Sequence, residues 1–579
     1  MVKGKKRHRV LKVLLWFVLG IVVLTLILCV IFHKWLFAYL RLLGGLDALD
    51  KGSEGMTYTE RTLTTEQMLK DFDFLYDTAV TNSLTTAQWE KYLKIDYEEL
   101  YNTFRPRIES CTDEYEFLAV MTSFMTRLPG GHNFLAAPTD QLKAELDFPL
   151  MWELGYDDVI KTNYDFWVQI EDRMWSYDQK AATALYYGGD YVFINNNFGN
   201  EQFEDIINGK LLTLNGEPID TAIRKLDTFY TWSYDSENDR VRVYALYFND
   251  NIGDEYEAEI EMPDGSIVRK TLYNSAKFNV AAYYKNKLYP NHGKEDEPVA
   301  ETTTATEVES PSEPETESTS EAAEEPEPKT YSIVTDKDRK LVFIRTTTCL
   351  SSEIDMVYED LTAAIDEIDA ENIIVDVRSN GGGDFNFVTE GLCRAIFDKP
   401  VGWINYARFP KADIPMKYLD FLADSYDQTP EDKGDYMVYY QDYTANGEAK
   451  KKFNIYVLIS DCTFSSGDIF TAIAAEQDNV TIIGENTSGE GFSGNPLNYY
   501  LPESKFSLAY APGVSEHLPE NNILGTAPDI YCPLNWESVK AFLKLTEDPE
   551  ISDKLTQYEY RALWDAPFRR TLELIDSRA

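Results

Sequence analysis

Along the first 32 residues the pattern is not periodic at all. Val13–Phe32 is an uninterrupted run of 20 uncharged, mostly apolar residues, preceded by Lys3, Lys5, Lys6, Arg7 and Arg9 and followed by His33-Lys34-Trp35. At 1.5 Å per residue such a run matches the roughly 30 Å hydrocarbon core of a bilayer. The basic flank is expected to stay inside. The pattern predicts a cytoplasmic tail over 1–12, one transmembrane helix over 13–32, and everything later outside the cell membrane. From 57 to 150 apolar residues recur among charges at helical spacing, as in Met68, Phe72, Leu75 and Tyr76, and a helical N-terminal domain is expected. The stretch Tyr115–Arg127 predicts a helix that ends at the breaker cluster Leu128-Pro129-Gly130-Gly131, directly before His132.

Between 186 and 275 the period shortens to that of strands: Tyr191–Ile194, Leu211–Leu214 and Val241–Tyr247, with an Asn215-Gly216 turn before a helix-like Ile219–Leu226. Past 331 strands and helices alternate. Lys340–Ile344, Ile373–Val377, Ile455–Ile459 and Thr481–Ile483 are short apolar runs, and Ile354, Val357, Leu361, Ile365 and Ile368 share one helix face. That alternation predicts an α/β domain over 331–545 with a largely parallel sheet, followed by a C-terminal extension over 546–579.

Composition changes this picture in two places. Residues 295–328 hold 13 acidic residues, five prolines and no aromatic or basic side chain. Such a segment cannot bury enough apolar surface to offset its ordering entropy, so a disordered linker is expected. It also carries 13 of the net 44 negative charges, so the folded surface is less acidic than the total suggests. A chain of this sign repels phosphate backbones, which argues against nucleic acid as a partner. The six cysteines are scattered and include no C-x-x-C pair, so neither a metal site nor a disulfide framework is indicated, and no cofactor is called for.

Four segments could carry chemistry. Asp376-Val377-Arg378-Ser379-Asn380-Gly381-Gly382-Gly383 joins a buried strand to a helix, and its glycines leave N–H groups open to a developing anion. Ser460–Asp468 also joins a strand to a helix, which sets a serine near a helix N-terminus; an ordinary N-cap is the simpler reading of that serine alone. Gly484–Gly491 and Gly525–Ile530 are a glycine-punctuated loop and a Pro-Asp ending.

In this order the four segments resemble the tail-specific, or C-terminal-processing, serine protease family, over about 331–533. The resemblance implies a crotonase-like spiral fold. It implies a nucleophile at Ser465, three positions before the acidic Asp468, and an oxyanion hole from the N–H groups of Gly382 and Ser466. Asp468 has a possible supporting role or simply anchors the first helix turn. Twenty-five positions after Ser465, where the serine–lysine branch places its base, this chain has Glu490, and the loop holds no lysine. The histidine-type branch, which includes the tricorn core protease, is therefore the closer resemblance. It implies His132 as general base, ahead of His517, since an imidazole ordinarily titrates near about 6.5 and is partly neutral at pH 7. It implies Glu520 as the third member, with Glu490 as rival. Leu211–Leu226 resembles the end of a PDZ module. The expected function is a membrane-anchored, extracytoplasmic peptidase acting on proteins or peptides, its lipid bilayer contact made by the N-terminal helix. The alternative is a family member without catalysis that binds peptides or other ligands.

Overall fold

A computed structural model describes residues 63–136, 182–195, 201–249, 255–274, 329–420, 429–492 and 497–578, apart from single positions 113, 229, 414, 417, 418 and 505. The expected tail, transmembrane run and acidic linker lie outside the described residues. Among the described residues no helix is long and apolar enough to cross a membrane.

The helical segment begins at Thr65–Tyr76, where Thr64 and Gln67 form a reciprocal capping box. Tyr97–Ser110 is capped by the Asp96 carboxylate, which accepts the Glu99 N–H. Their apolar stripes meet: Met68, Phe72 and Leu75 pack with Phe104, Ile108, Phe117, Met121 and Phe124. That core is not self-contained. Leu497, Leu501, Phe506, Leu508 and Tyr510, expected to belong to the α/β domain, complete it. Asp71 strengthens the join by accepting the N–H groups of Glu503 at 2.8 Å and Ser504 at 2.7 Å. Sequence periodicity cannot show this, because it reports which face is apolar and not which distant segment covers it.

The α/β part is built on six strands in the order Tyr331–Asp336, Leu341–Thr346, Asn372–Asp376, Asn454–Ile459, Val480–Gly484 and Ile530–Tyr531. The first pair is antiparallel and the others are parallel. Alternate residues face opposite sides. Ile373, Val375, Ile455 and Val457 join Val357, Leu361 and Ile365 of the helix Ile354–Ile368 on one face. Ile374, Tyr456, Leu458 and Ile483 meet Phe568 and Ile575 on the other. The segment expected to be a mere extension therefore covers half of the central sheet, as a parallel sheet buried on both faces requires.

The β-rich part forms a seven-stranded sheet, with Asn215 and Gly216 both at positive φ in the turn before the short helix Ile219–Ala222. It contacts the α/β part through Arg242, near Asp461 and Glu485, and the helical part through a second set of buried charges. Asp227 pairs with Arg107 at 2.8 Å and with Arg127 at 3.4 Å, and the Trp232 N–H donates to Thr126 O at 2.7 Å. Thr126 and Arg127 close the helix that leads to His132. Burial lowers the Arg127 pKa to about 10, against the opposing pull of Asp227.

Candidate active site

Three backbone excursions converge. The first is the loop from the strand Asn454–Ile459 to the helix Ser466–Ala475. Ser465 stands just before that helix with φ +53° and ψ −119°, a conformation non-glycine residues rarely adopt. Strain of this kind persists only where the surroundings over-determine it. Here they do. The Ser465 N–H donates to Gly489 O at 3.0 Å, the Phe464 N–H to Asn380 O at 3.0 Å, and the Thr463 hydroxyl to Val377 O at 2.9 Å. A side chain held at such a turn is not acting as an ordinary N-cap, and Ser465 makes no side-chain cap bond.

The second excursion is the glycine turn after Asp376. Gly382 has φ +101°, and a Cβ there would lie 2.6 Å from Ser465 Cβ and 3.1 Å from Ser465 Oγ. Only glycine lets this backbone approach the serine so closely. The Ser466 hydroxyl ties the helix to the turn by donating to Gly383 O at 2.5 Å. One expectation needs correction: the Gly382 N–H is not open, because it donates to Asn380 Oδ1 at 2.9 Å. Asn380 is fully buried and closes the turn on itself, an arrangement asparagine favours.

The third excursion brings His132. The strand Phe134–Ala136 pairs antiparallel with Ser507–Tyr510, which fixes where the preceding residues lie. Asn133 adds to this by accepting the Ala511 N–H at 2.9 Å. The imidazole packs tilted against the ring of Phe464, the neighbour of Ser465, with ring centroids 4.7 Å apart. Its Nδ1 is 3.4 Å from Glu490 Oε2, a looser approach than a formed hydrogen bond. Both glycines before it are needed for this approach. A Cβ on Gly130 would fall 2.1 Å from Glu490 Oε1, and one on Gly131 2.5 Å from the Phe464 ring. Glu490 itself has φ +66° and a buried side chain.

Glu520, expected as the third member, is elsewhere. Its carboxylate is half exposed and pairs with Lys91 at 3.1 Å. His517 pairs at 2.7 Å with Glu476 and packs tilted against Trp403. The carboxylate beside His132 is that of Glu490, the rival for third member in the glycine loop. Asp468 is fully buried and acts as a clamp: its Oδ1 accepts the hydroxyls of Thr487 at 2.6 Å and Thr526 at 2.7 Å, joining the helix Ser466–Ala475 to the glycine loop and the Pro-Asp ending. Burial raises its pKa, and the two threonine hydroxyls oppose that rise. Among the described residues no cluster of three or more His, Cys, Asp or Glu could hold a metal ion.

Peptidase family S41 matches residues 341–531. Over this third of the chain the sequence is similar to that peptidase family. The match takes in the glycine turn, Ser465 and Glu490, and it makes the enzyme class that of a serine-type peptidase, a hydrolase. His132 and the C-terminal helices lie outside it. Comparison with curated proteins gives no match. Among solved structures, mature CPAF complexed with lactacystin is similar with a TM-score of 0.48 and 14% identity, over 89% of this chain and 100% of that one. The tricorn protease is similar with a TM-score of 0.34 and 13% identity, over 89% of this chain and 37% of that one. The photosystem II D1 C-terminal processing protease gives 0.33 and 13%, over 83% and 98%. At such scores and identities, the roles of individual residues have to come from this chain's own geometry.

Proposed function

We propose that this chain cleaves peptide bonds by acyl transfer to Ser465, with His132 as general base and Glu490 as the carboxylate that orients it. The carrying observation is the packing of His132 against Phe464 with Nδ1 turned to the buried Glu490 carboxylate. With Nδ1 so engaged, Nε2 is the nitrogen left to accept the Ser465 proton as Oγ attacks the scissile carbonyl. The tetrahedral oxyanion would be received at the start of the helix Ser466–Ala475, by the Ser466 N–H and by the Gly382 N–H once substrate competes with Asn380 Oδ1 for it. The protonated imidazole then gives its proton to the leaving amine, and water repeats the sequence on the acyl-enzyme. An apo distance of 3.4 Å at Nδ1 suits a triad that tightens with substrate bound.

Fluorophosphonate labelling and peptide hydrolysis test this together. Wild type should be labelled at Ser465, while Ser465→Ala should lose both signals. His132→Ala should lower turnover by about 10²–10⁴-fold, and Glu520→Gln should leave it unchanged. A wild-type protein that neither labels nor hydrolyses defeats the reading.

We further place the enzyme outside a membrane, anchored by residues 13–32. Support comes from the basic flank and the length of the apolar run. The β-rich part is read as a PDZ-like module on the strength of its Asn215-Gly216 turn and following helix. Added protease should digest the folded domains on intact cells; protection until lysis would rule the topology out.

A further inference from the structure

The helices that follow the S41 match have a place in the active site's support. Arg378, two residues after the strand Asn372–Asp376 and four before Gly382, is buried and grips two carboxylates at once. Its Nε and Nη2 donate to Asp376 Oδ1 and Oδ2, both at 2.9 Å; its Nη1 and Nη2 donate to Asp565 Oδ1 and Oδ2 at 2.8 and 2.7 Å. Arg561 repeats the bridge from the C-terminal side, with Nε to Asp565 Oδ2 at 2.7 Å and Nη2 to Asp376 Oδ2 at 2.8 Å. A simple N-cap would explain only the bond from the Phe568 N–H to Asp565 Oδ1 at 3.0 Å. It does not explain why both oxygens of the same carboxylate also face guanidinium forks 187 and four residues away.

The backbone at Arg378 is where the two halves of the site meet. Arg378 O accepts the Ser460 hydroxyl at 2.6 Å, and that same oxygen of Ser460 accepts the Cys462 N–H at 3.1 Å in the nucleophile loop. Val377 O accepts both the Thr463 hydroxyl and the Asn380 N–H. A tilt of Arg378 therefore moves the glycine turn and the serine together. Burial alone would raise both carboxyl pKa values. The guanidiniums hold them below the usual carboxylate range instead, Asp376 chiefly through Arg378 and Asp565 through Arg378 and Arg561.

We infer that Asp565, far beyond the S41 match, is a positioning residue that sets the oxyanion turn and the nucleophile loop through its two-pronged grip on Arg378. The inference rests on the proposed role of Ser465.

In the full-length protein, Asp565→Asn keeps the shape but presents an N–H donor to a guanidinium. Turnover per Ser465 titrated with fluorophosphonate should fall by about 10²-fold, as for displacement of a reacting group by about 1 Å, while KM stays within about twofold and Asp565→Glu recovers part of the loss. If Asp565 merely held the helix in place, the variant would lose melting temperature or titratable sites but keep turnover per site, and that result overturns the inference. Should Asp565→Asn fail to fold, Arg561→Lys keeps the charge and loses the two-pronged bridge. It should lower turnover per site at unchanged KM, and unchanged turnover would again refute the inference. A wild-type protein that is never labelled at Ser465 would overturn both this inference and the reading beneath it.

Discussion

At Ser465 the left-handed backbone is held by neighbours from three loops, and Gly382, Gly130 and Gly131 are the positions that let those loops come close enough. This makes the glycines more sensitive than the polar residues around them. Gly131→Ala would drive a methyl into the Phe464 ring, so either the ring or His132 must shift. Turnover is expected to fall by at least about 10²-fold, the cost of misplacing a reacting group by about 1 Å; peptide hydrolysis by the purified variant measures it, and full activity would contradict the assigned approach of His132. Asn380 offers a test of the closed turn. Asn380→Asp would hold the Gly382 N–H with a charged oxygen and set a negative charge beside the developing oxyanion. Turnover per labelled Ser465 should drop by about 10²–10³-fold, comparable to loss of an oxyanion donor, and the melting temperature should fall as well, because the charge is buried and the amide's hydrogen bond to the Thr346 hydroxyl is lost.

Among the elements, the helix Ser466–Ala475 depends on contacts made outside itself. Asp468 on its first turn holds Thr487 and Thr526, and through them the loop that carries Glu490. Asp468→Ala leaves two hydroxyls without their acceptor, at a cost of about 1–3 kcal/mol each at most. Urea unfolding should register that loss, and turnover should fall with it as Glu490 loosens. The strand Phe134–Ala136 is only three residues long, yet its pairing with Ser507–Tyr510 is what delivers His132. Such a short strand has too little periodicity to be predicted, and its partner lies more than 370 positions away.

In the whole molecule, the three parts are joined by buried charges whose balance is uneven. Arg242 of the β-rich part lies 3.7 Å from Asp461 and 3.6 Å from Glu485, so one guanidinium serves two carboxylates. Burial raises the pKa of both; for Glu485 the nearby Asp461 charge adds to the rise, and Arg242 opposes it for each. An acid whose folded pKa is raised binds its proton more tightly when folded. Its contribution is therefore present at acid pH and lost as pH rises from the ordinary carboxylate range through the raised value. Asp376 and Asp565 have the opposite sign, and their contribution is lost only as pH falls below that range. Glu485→Gln should match wild type in melting temperature near pH 5 and exceed it near pH 8. A gap that shrinks as pH rises would show the sign to be wrong.

The strands, the long helices, the glycine turn and the serine at the strand-to-helix junction were legible in the sequence. Each is written in local terms: a period of two or 3.6, a breaker, or a motif on one stretch of chain. Ser465, His132 and Glu490 were all singled out by residue type and motif, but their grouping was not local information. Glu520 seemed a suitable third member because it lies near the Pro-Asp ending in sequence, whereas the tertiary structure turns it outward to Lys91. Asp565 was singled out by no motif; it caps its own helix by accepting the Phe568 N–H, and the fold also made it a partner of Arg378. Local pattern determines which face of an element is apolar and which backbone can turn. Which distant carboxylate meets a buried guanidinium or an imidazole is decided only when the sheet closes and the helices cover its two faces.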